Sequence, residues 1–181
     1  MDIKKGISYI AIGFLFTLVN INLKLNSTTL NITPDFIGWI LIFFAFDRLG
    51  HYTENKAYLK WIALILAILT GVIWVYGIMK PEFDIDIVKT IVSFVSVGYM
   101  FLLFNILEKI AKDHAPTFEK NISMLKIINL VLYIGFFVTA MLTTRDQQTF
   151  AMLAFVFGTA TLISAIVTAV TLIRFGIAIE G

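Results

Sequence analysis

From Trp61 to Met79 the chain carries no charged side chain, and apolar stretches of similar length recur along most of the sequence. A helix needs about 20 consecutive apolar residues to cross the hydrocarbon core of a bilayer. The composition agrees, because 59% of the 181 residues are hydrophobic, 14% are charged and the mean hydropathy is +0.91. Soluble domains are usually about 45–50% apolar and about 25% charged. The sequence therefore predicts an integral membrane protein surrounded by the lipid bilayer.

The apolar stretches predict an all-α bundle of six transmembrane helices, which forms a single transmembrane domain over residues 1–181. The predicted helices cover about residues 6–23, 34–52, 57–79, 87–107, 121–142 and 150–173. The first stretch follows Met-Asp-Ile-Lys-Lys-Gly and shares the basic start of a signal peptide. Because no convincing small-residue cleavage pattern follows it, we interpret it as a retained first helix.

The length of the second apolar stretch does not show whether it crosses the membrane completely. Thr33 suits the N-cap, Pro34 the first helical position, and Asp35 the positive end of the helix dipole. The apolar residues from Phe36 to Phe46 rise only about 17 Å, so a re-entrant half-helix is an alternative to a full span. If the helix continues to Tyr52, the rise is about 28 Å, which suffices for a slightly mismatched span.

The basic residues distinguish these two paths. If the second stretch spans, ten of the fourteen Lys and Arg residues lie on the side of the N-terminus, whereas a re-entrant segment leaves five there. Loops on the cytoplasmic side carry an excess of Lys and Arg. The count therefore predicts a full span, with the N-terminus and the C-terminus in the cytoplasm.

Small and polar residues at helical spacing mark the faces expected to turn inward. Gly6, Gly13 and Thr17 share a face of the first helix, and Asn129 and Tyr133 are inward candidates in the fifth. The sixth helix carries two small-residue ladders, Ala160, Ser164, Thr168 and Thr161, Ala165, Ala169. Small residues let helix backbones approach, and buried polar side chains in a membrane bond across helices. We interpret these positions mainly as helix contacts.

Aromatic and polar residues gather at the outer half of the predicted bundle. They are Asn20 and Lys24 at the end of helix one, Asp35 and Trp39 at the start of helix two, Trp74 near the end of helix three and Arg145 in the last outer loop. A few convergent polar groups among aromatics are typical of a small-ligand site. Interfacial anchoring is the alternative, since Trp and Tyr gather at membrane boundaries. We predict these six residues as a candidate site for a small hydrophilic or amphipathic ligand.

Several functions lack support in the sequence. The net charge of +2 is scattered, so no nucleic-acid surface is expected. There is no cysteine, which excludes disulfides and thiol catalysis. No acidic or basic residue lies centrally in a predicted span, and no hydrolase or phosphate-loop motif occurs. These observations argue against an enzyme and against a proton-coupled transporter, and no cofactor is expected.

Metal binding is also not expected. Asp84 and Asp86 alternate, but the glycine and terminal glutamate of a calcium loop are missing. His51 and His114 offer a shared metal or proton site on the inner side, with Asp47 one helical turn from His51. Histidines in polar loops are usually solvated, and we favour that interpretation.

The segment Ile32-Thr-Pro-Asp-Phe-Ile-Gly-Trp resembles the second helix of small, mostly uncharacterised multi-pass membrane proteins of low-GC Gram-positive bacteria. In these proteins the motif is Pro-Asp-Phe-Ile-Gly-aromatic. The abundance of Ile, Lys, Asn and Phe agrees with an AT-rich genome. The resemblance implies a multi-pass protein of the bacterial cytoplasmic membrane and carries no activity with it.

In topology, the predicted bundle is also similar to the substrate-binding S-components of energy-coupling-factor vitamin transporters. In that family a small-residue face of helix one docks on the membrane subunit of the transporter, and Gly6, Gly13 and Thr17 are the candidates here. This similarity implies a non-enzymatic, transport-associated subunit with a membrane protein partner. The alternative is an accessory or immunity-type membrane protein that acts through protein contacts, and a lipid-modifying enzyme is less expected.

Overall fold

The structure is a computed structural model, and it describes residues 2–18, 22–25, 28–31, 34–53, 56–79, 85–142 and 147–179. Over these residues the chain forms six α-helices and one two-stranded hairpin, which confirms the predicted all-α class apart from the hairpin. The elements are α1 (Ile3–Leu18), β1 (Asn22–Leu25), β2 (Thr28–Asn31), α2 (Asp35–Leu49), a 3₁₀ turn (Gly50–Tyr52), α3 (Ala57–Met79), α4 (Asp86–His114), α5 (Pro116–Leu142) and α6 (Gln147–Ala178).

Four of the helices are long and apolar enough to cross a membrane. Their candidate spans are Ala57–Met79, Ile87–His114, Pro116–Thr139 and Met152–Ala178, with mean hydropathies from 1.9 to 2.5. The helices α1 and α2 are shorter, with 16 and 15 residues. At 15 residues α2 rises about 22 Å. The four long helices indicate a multi-pass membrane protein, while the crossing by α1 and α2 and the orientation of the termini stay predictions.

The helices close into a ring in which each packs on two neighbours, in the order α1, α2, α3, α4, α5, α6 and back to α1. The contact between α1 and α2 is the most extensive, and that between α3 and α4 is the smallest. We call the end of the ring that carries β1 and β2 the hairpin end. The opposite end, where Gly176 of α6 lies beside Lys4 of α1, is called the terminal end.

Aromatic side chains fill the centre of the ring. Phe14 of α1 packs edge-to-face on Phe104 of α4, with ring centroids 5.3 Å apart. Trp39 of α2 packs in the same way on Tyr99 of α4, at 5.2 Å. All four side chains are at most 2% exposed. The helix α4 therefore meets α1 and α2 across the core as well as its neighbours in the ring.

Glycines bring α1 and α2 into backbone contact. A Cβ added at Gly13 would lie 2.7 Å from the carbonyl oxygen of Gly38, and one added at Gly6 would lie 2.9 Å from Leu49. The small face of helix one is thus an interhelical face, as the spacing predicted. The expectation that Gly6 and Gly13 dock on a partner protein is wrong, because α2 already covers them.

The region from Glu108 to Lys120, which lies between the predicted fourth and fifth helices, is almost entirely helical. The helix α4 continues to His114, and α5 begins at Pro116, so only Ala115 separates them. Leu107, Ile110 and Ala111 are fully buried on one face, which continues the amphipathic pattern beyond the apolar stretch. Polar residues on the other face concealed this continuation. The helix α6 likewise extends beyond its predicted bounds of 150 and 173.

The predicted end of helix one at Leu23 is also wrong. The described part of α1 ends at Leu18, and residues 22–25 form β1, which pairs antiparallel with β2. The register joins Asn22 to Asn31 and Leu25 to Thr28, so only residues 26 and 27 lie between the strands. A hairpin with so short a connection satisfies the backbone groups of a polar segment without a helix.

Both ends of α2 differ slightly from the prediction. Pro34 precedes the helix in an extended conformation, with φ −70° and ψ 122°, and Asp35 is the first helical residue. The α-helix ends at Leu49 instead of Tyr52, because Gly50 takes a positive φ of 58° that glycine allows. A 3₁₀ turn follows. The hydroxyl of Thr53 donates hydrogen bonds to the carbonyl oxygens of Gly50 (2.8 Å) and Phe46 (3.4 Å) and so closes this end.

The close approach of α1 and α2 makes Gly13 sensitive to any added side-chain atom. We expect Gly13→Ala to lower the free energy of unfolding in detergent by about 1–3 kcal/mol, because the Cβ meets backbone that is unable to yield like a side chain. Gly77→Ala is the control, since a Cβ at Gly77 would have no atom within 4 Å among the described residues. Equal stability of the two variants would contradict the backbone contact.

Candidate functional site

A cavity of about 240 Å³ lies inside the ring near the hairpin end. Its walls come from five helices, α1 to α5, and it lies beside the seam where α3 and α4 touch least. The polar residues that line it are Thr17, Asp35, Thr70, Ser93, Ser96 and Tyr133. Its aromatic residues are Trp39, Tyr133, Phe136 and Phe137. The cavity is smaller than the roughly 300–1,000 Å³ of drug-sized pockets.

Asp35 is the charged group of the cavity. Pro34 ends the extended segment after β2, so the first turn of α2 begins at Asp35 and places its side chain at the cavity wall. The oxygen Oδ1 is buried and has no hydrogen-bond partner within the described residues. A buried carboxylate oxygen that makes no hydrogen bond is energetically costly. Such a group is more common at binding sites than in helix packing.

The small hydroxyls of the wall donate their protons to their own helices. Thr17 donates to Phe14 O at 3.1 Å, Thr70 to Leu66 O at 2.7 Å, Ser93 to Lys89 O at 2.9 Å and Ser96 to Val92 O at 2.7 Å. A hydroxyl has one proton and two lone pairs. Once the proton is committed to the backbone, the oxygen is left as an acceptor. The wall therefore offers mainly hydrogen-bond acceptors.

Tyrosine hydroxyls provide the remaining polar groups of the region. Tyr133 lines the cavity, and its hydroxyl is buried without a hydrogen-bond partner in the described part of the chain. The hydroxyl of Tyr99, whose ring packs on Trp39, is unpaired in the same sense. Among the residues that line the cavity, the oxygen Oδ1 of Asp35 and the hydroxyl of Tyr133 are the unpaired buried groups in the described part of the chain, and they distinguish this wall from the apolar core.

The predicted site residues separate into three groups. Asp35 and Trp39 both line the cavity, which brings two of the six together. Trp74 does not line it, because its ring packs on Phe36 at 5.7 Å in an apolar groove on the outer face of α2 and α3. Lys24 lies in β1, and its side chain is outside the described part. Asn20 and Arg145 lie outside the described residues.

Sequence reasoning missed the part of the site that comes from α3 and α4. Thr70, Ser93 and Ser96 are not among the six predicted site residues, and Tyr133 is predicted only to face inward. Ser93 and Ser96 lie three residues apart on one face of α4, and this spacing is the sequence signal of a common wall.

A second polar cluster, centred on Asn129, joins α5 to α6. Its Nδ2 donates to Leu125 O at 2.9 Å and to Thr168 Oγ1 at 3.0 Å, and its Oδ1 accepts from Ser164 Oγ at 2.9 Å. All of these polar groups are paired with one another. The cluster is therefore interhelical contact of the kind that the small-residue ladder of helix six predicted.

A third cluster lies at the terminal end. The hydroxyl of Tyr52 lies 3.0 Å from Asp113 Oδ2 and 3.0 Å from His114 Nε2, so it ties the turn after α2 to the end of α4. The side chain of His51 is outside the described part, so its predicted meeting with His114 is not addressed. Within the residues that the structure describes, no three acidic or histidine side chains form a group that would hold a metal ion.

Four helices that are long and apolar enough to cross a membrane define the class to which this chain belongs, a multi-pass membrane protein. Comparison with protein-family models, with curated proteins and with solved structures finds no match to the chain. Its function is therefore inferred from the chemistry of the cavity.

The paired and unpaired polar groups on α5 predict opposite effects on stability. We expect Asn129→Leu to lower the free energy of unfolding by about 0.6–2 kcal/mol, because Ser164 and Thr168 lose their partner. Tyr133→Phe should be neutral or stabilising, because it removes a buried hydroxyl that makes no hydrogen bond with the described residues. Unfolding in detergent measures both. A large loss of stability in Tyr133→Phe would show that the hydroxyl is needed by the fold.

Proposed function

We propose that this chain is a non-enzymatic, six-span protein of the bacterial cytoplasmic membrane that binds a small molecule in the cavity, as a transport-associated subunit. The observation that supports the proposal best is the buried oxygen Oδ1 of Asp35, which has no hydrogen-bond partner within the described residues, in a cavity with acceptor hydroxyls and aromatic walls. Buried groups that the fold leaves unpaired gain most from a complementary ligand.

The hydrogen bonds of the two serine hydroxyls favour binding over catalysis. The hydroxyls of Ser93 and Ser96 donate to backbone carbonyls of α4, so neither is held by a general base. Nucleophilic catalysis requires a nucleophile in hydrogen-bond contact with its base. The lining residues instead offer a pattern of charge, acceptors and aromatic rings, which suits recognition.

The position of the cavity favours entry from the hairpin end. Thr17 near the end of α1 and Asp35 at the start of α2 are both wall residues, and β1 and β2 join these two helices. The strand β2 also contacts α3. A ligand that approaches from this side meets the hairpin first. In the proposed orientation this is the outer side of the membrane.

Six spans are supported by the ring itself. The helices α1 and α2 pack between α6 and α3, so they occupy the same layer as the four long apolar helices. The distribution of Lys and Arg favours cytoplasmic termini. A protein that carried α1 and α2 outside the bilayer would expose the apolar flanks of α3 and α6 at the same depth.

Cysteine labelling tests the topology, and the absence of natural cysteines makes each introduced one unique. We expect cysteines at Ser27, in the segment that joins β1 to β2, and at Gln147, the first residue of α6, to react with a membrane-impermeant maleimide in intact cells, because the proposed orientation places the hairpin end outside. Cysteines at Glu54, which follows Thr53 in the sequence, and at Thr117, in the first turn of α5, should react only after permeabilisation. Labelling at Glu54 in intact cells would contradict the full span of α2.

A ligand screen tests the proposed function. We expect at least one member of a panel of water-soluble vitamins, small amines, alcohols and carboxylates to raise the melting temperature of the purified protein. Ser96→Phe should abolish this shift, because the larger side chain fills the cavity. Val95→Phe is the matched control, since Val95 is 45% exposed on the same helix and does not line the cavity. A panel without any stabilising compound, or equal shifts in both variants, would contradict the proposal.

A further inference from the structure

The charge of the cavity limits the ligands that it would stabilise. Asp35 is the one charged residue among those that line the cavity in the described part of the chain. Burying a carboxylate without a counter-ion is costly, and an anionic ligand would add to this cost. A ligand with one positive charge would instead pair with Asp35, whose oxygen Oδ1 is buried, and a charge-assisted pair is stronger at a buried position than in water.

The hydroxyl groups of the cavity wall also favour a positively charged ligand. Thr17, Thr70, Ser93 and Ser96 present oxygens whose protons are directed into the helix backbones. These oxygens accept hydrogen bonds from a donor. An ammonium group carries up to three N–H donors and no acceptor. It therefore matches these four hydroxyls, while a carboxylate ligand would face acceptors at all four and would have only the hydroxyl of Tyr133 as a donor among the described polar lining residues.

The aromatic lining favours an organic cation. Trp39, Tyr133, Phe136 and Phe137 line the cavity together with Asp35. Aromatic rings attract ammonium groups through their negative faces, and tryptophan does so most strongly. They also provide apolar surface for a carbon skeleton. A bare inorganic ion would use neither the apolar surface nor most of the volume.

The volume of the cavity and the small number of acidic oxygens in its wall argue against a divalent metal ion as the ligand. Calcium takes six to eight oxygen ligands at short distances, whereas the cavity has one carboxylate and no second acidic residue among the described lining residues. A volume of about 240 Å³ is much larger than an ion and smaller than a drug-sized pocket. It suits a molecule of about ten non-hydrogen atoms.

From these observations we infer that the cavity binds a small organic ammonium ion, with Asp35 as its counter-ion, the wall hydroxyls as hydrogen-bond acceptors and Trp39 as an aromatic face. This inference rests on the proposed function and adds the chemical class of the ligand. Nothing in the cavity requires a particular carbon skeleton, so the ammonium group is the feature that defines the class.

Calorimetric titration of the full chain in nanodiscs tests the class with two probes of nearly the same shape, benzylammonium and benzoate. Empty nanodiscs provide the background, and an amine-free phosphate buffer avoids a competing ammonium ion. We expect benzylammonium to bind at least about tenfold more tightly than benzoate, since charge-assisted hydrogen bonds distinguish the two. Sodium ions at the same concentration should not displace it.

Two substitutions on α2 locate the effect. Asp35→Asn keeps the shape and removes the charge, and we expect it to weaken benzylammonium binding at least about tenfold. Asp47→Asn is the matched control, because Asp47 lies near the other end of α2 and pairs with Lys60 outside the cavity. It should bind benzylammonium as the wild type does. Without ligand, Asp35→Asn should melt at the same or a higher temperature, because a buried charge is removed.

The outcomes separate this inference from the proposed function. If benzoate binds as tightly as benzylammonium and Ser96→Phe abolishes both, the cavity binds ligands but the inferred class is wrong. If sodium alone binds and Asp35→Asn removes it, the site is an inorganic cation site and the inference is again wrong. If no probe binds and the screen also finds no ligand, the proposed function itself fails. Equal binding by Asp35→Asn and the wild type would overturn the role of Asp35.

Discussion

The backbone contact between Gly13 and Gly38 is the interaction on which the rest of the structure depends. It holds α1 and α2 closer than side chains would allow, and a Cβ at Gly38 would lie 2.7 Å from Thr17 Cγ2. This crossing places the last turns of α1 against the first turns of α2. Thr17 and Asp35 thereby reach the same cavity wall. Helix packing through small residues is common in membranes, where close approach of backbones replaces the hydrophobic effect as the source of attraction.

The tightness of that contact contrasts with the loose seam between α3 and α4. The ring is closed by extensive contacts everywhere else, and the cavity lies beside the seam between α3 and α4. The buried oxygen Oδ1 of Asp35, which makes no hydrogen bond with the described residues, reduces stability in this place. Proteins commonly keep such groups where function needs them, at the expense of stability. The other buried polar cluster, around Asn129, is fully paired and acts as a contact between α5 and α6.

Local patterns were sufficient for the helices but not for the cavity. The bounds of α3 agree with the prediction because its apolar run has a clear start and end, and the glycine face of α1 follows from its spacing. The sequence did not predict the last turns of α4 or the first turn of α5. Lys109 and Lys112 interrupt the apolar stretch, so the amphipathic continuation of the helix resembles a polar loop. Asp35 and Trp39 were selected from the start of one helix. Thr70 and Tyr133 line the same cavity only because α2, α3 and α5 pack around it. No single stretch of sequence shows this packing.

The most direct measurement is a crystal structure of the protein grown from lipid with 4-bromobenzylammonium, in which the anomalous signal of bromine locates the probe. We expect one bromine peak inside the ring, within the cavity lined by Asp35 and Tyr133, with the ammonium group towards the carboxylate of Asp35. Bromine found only on the outer face, such as the groove beside Trp74, with no density in the cavity would contradict the account of this chain as an ammonium-binding membrane protein.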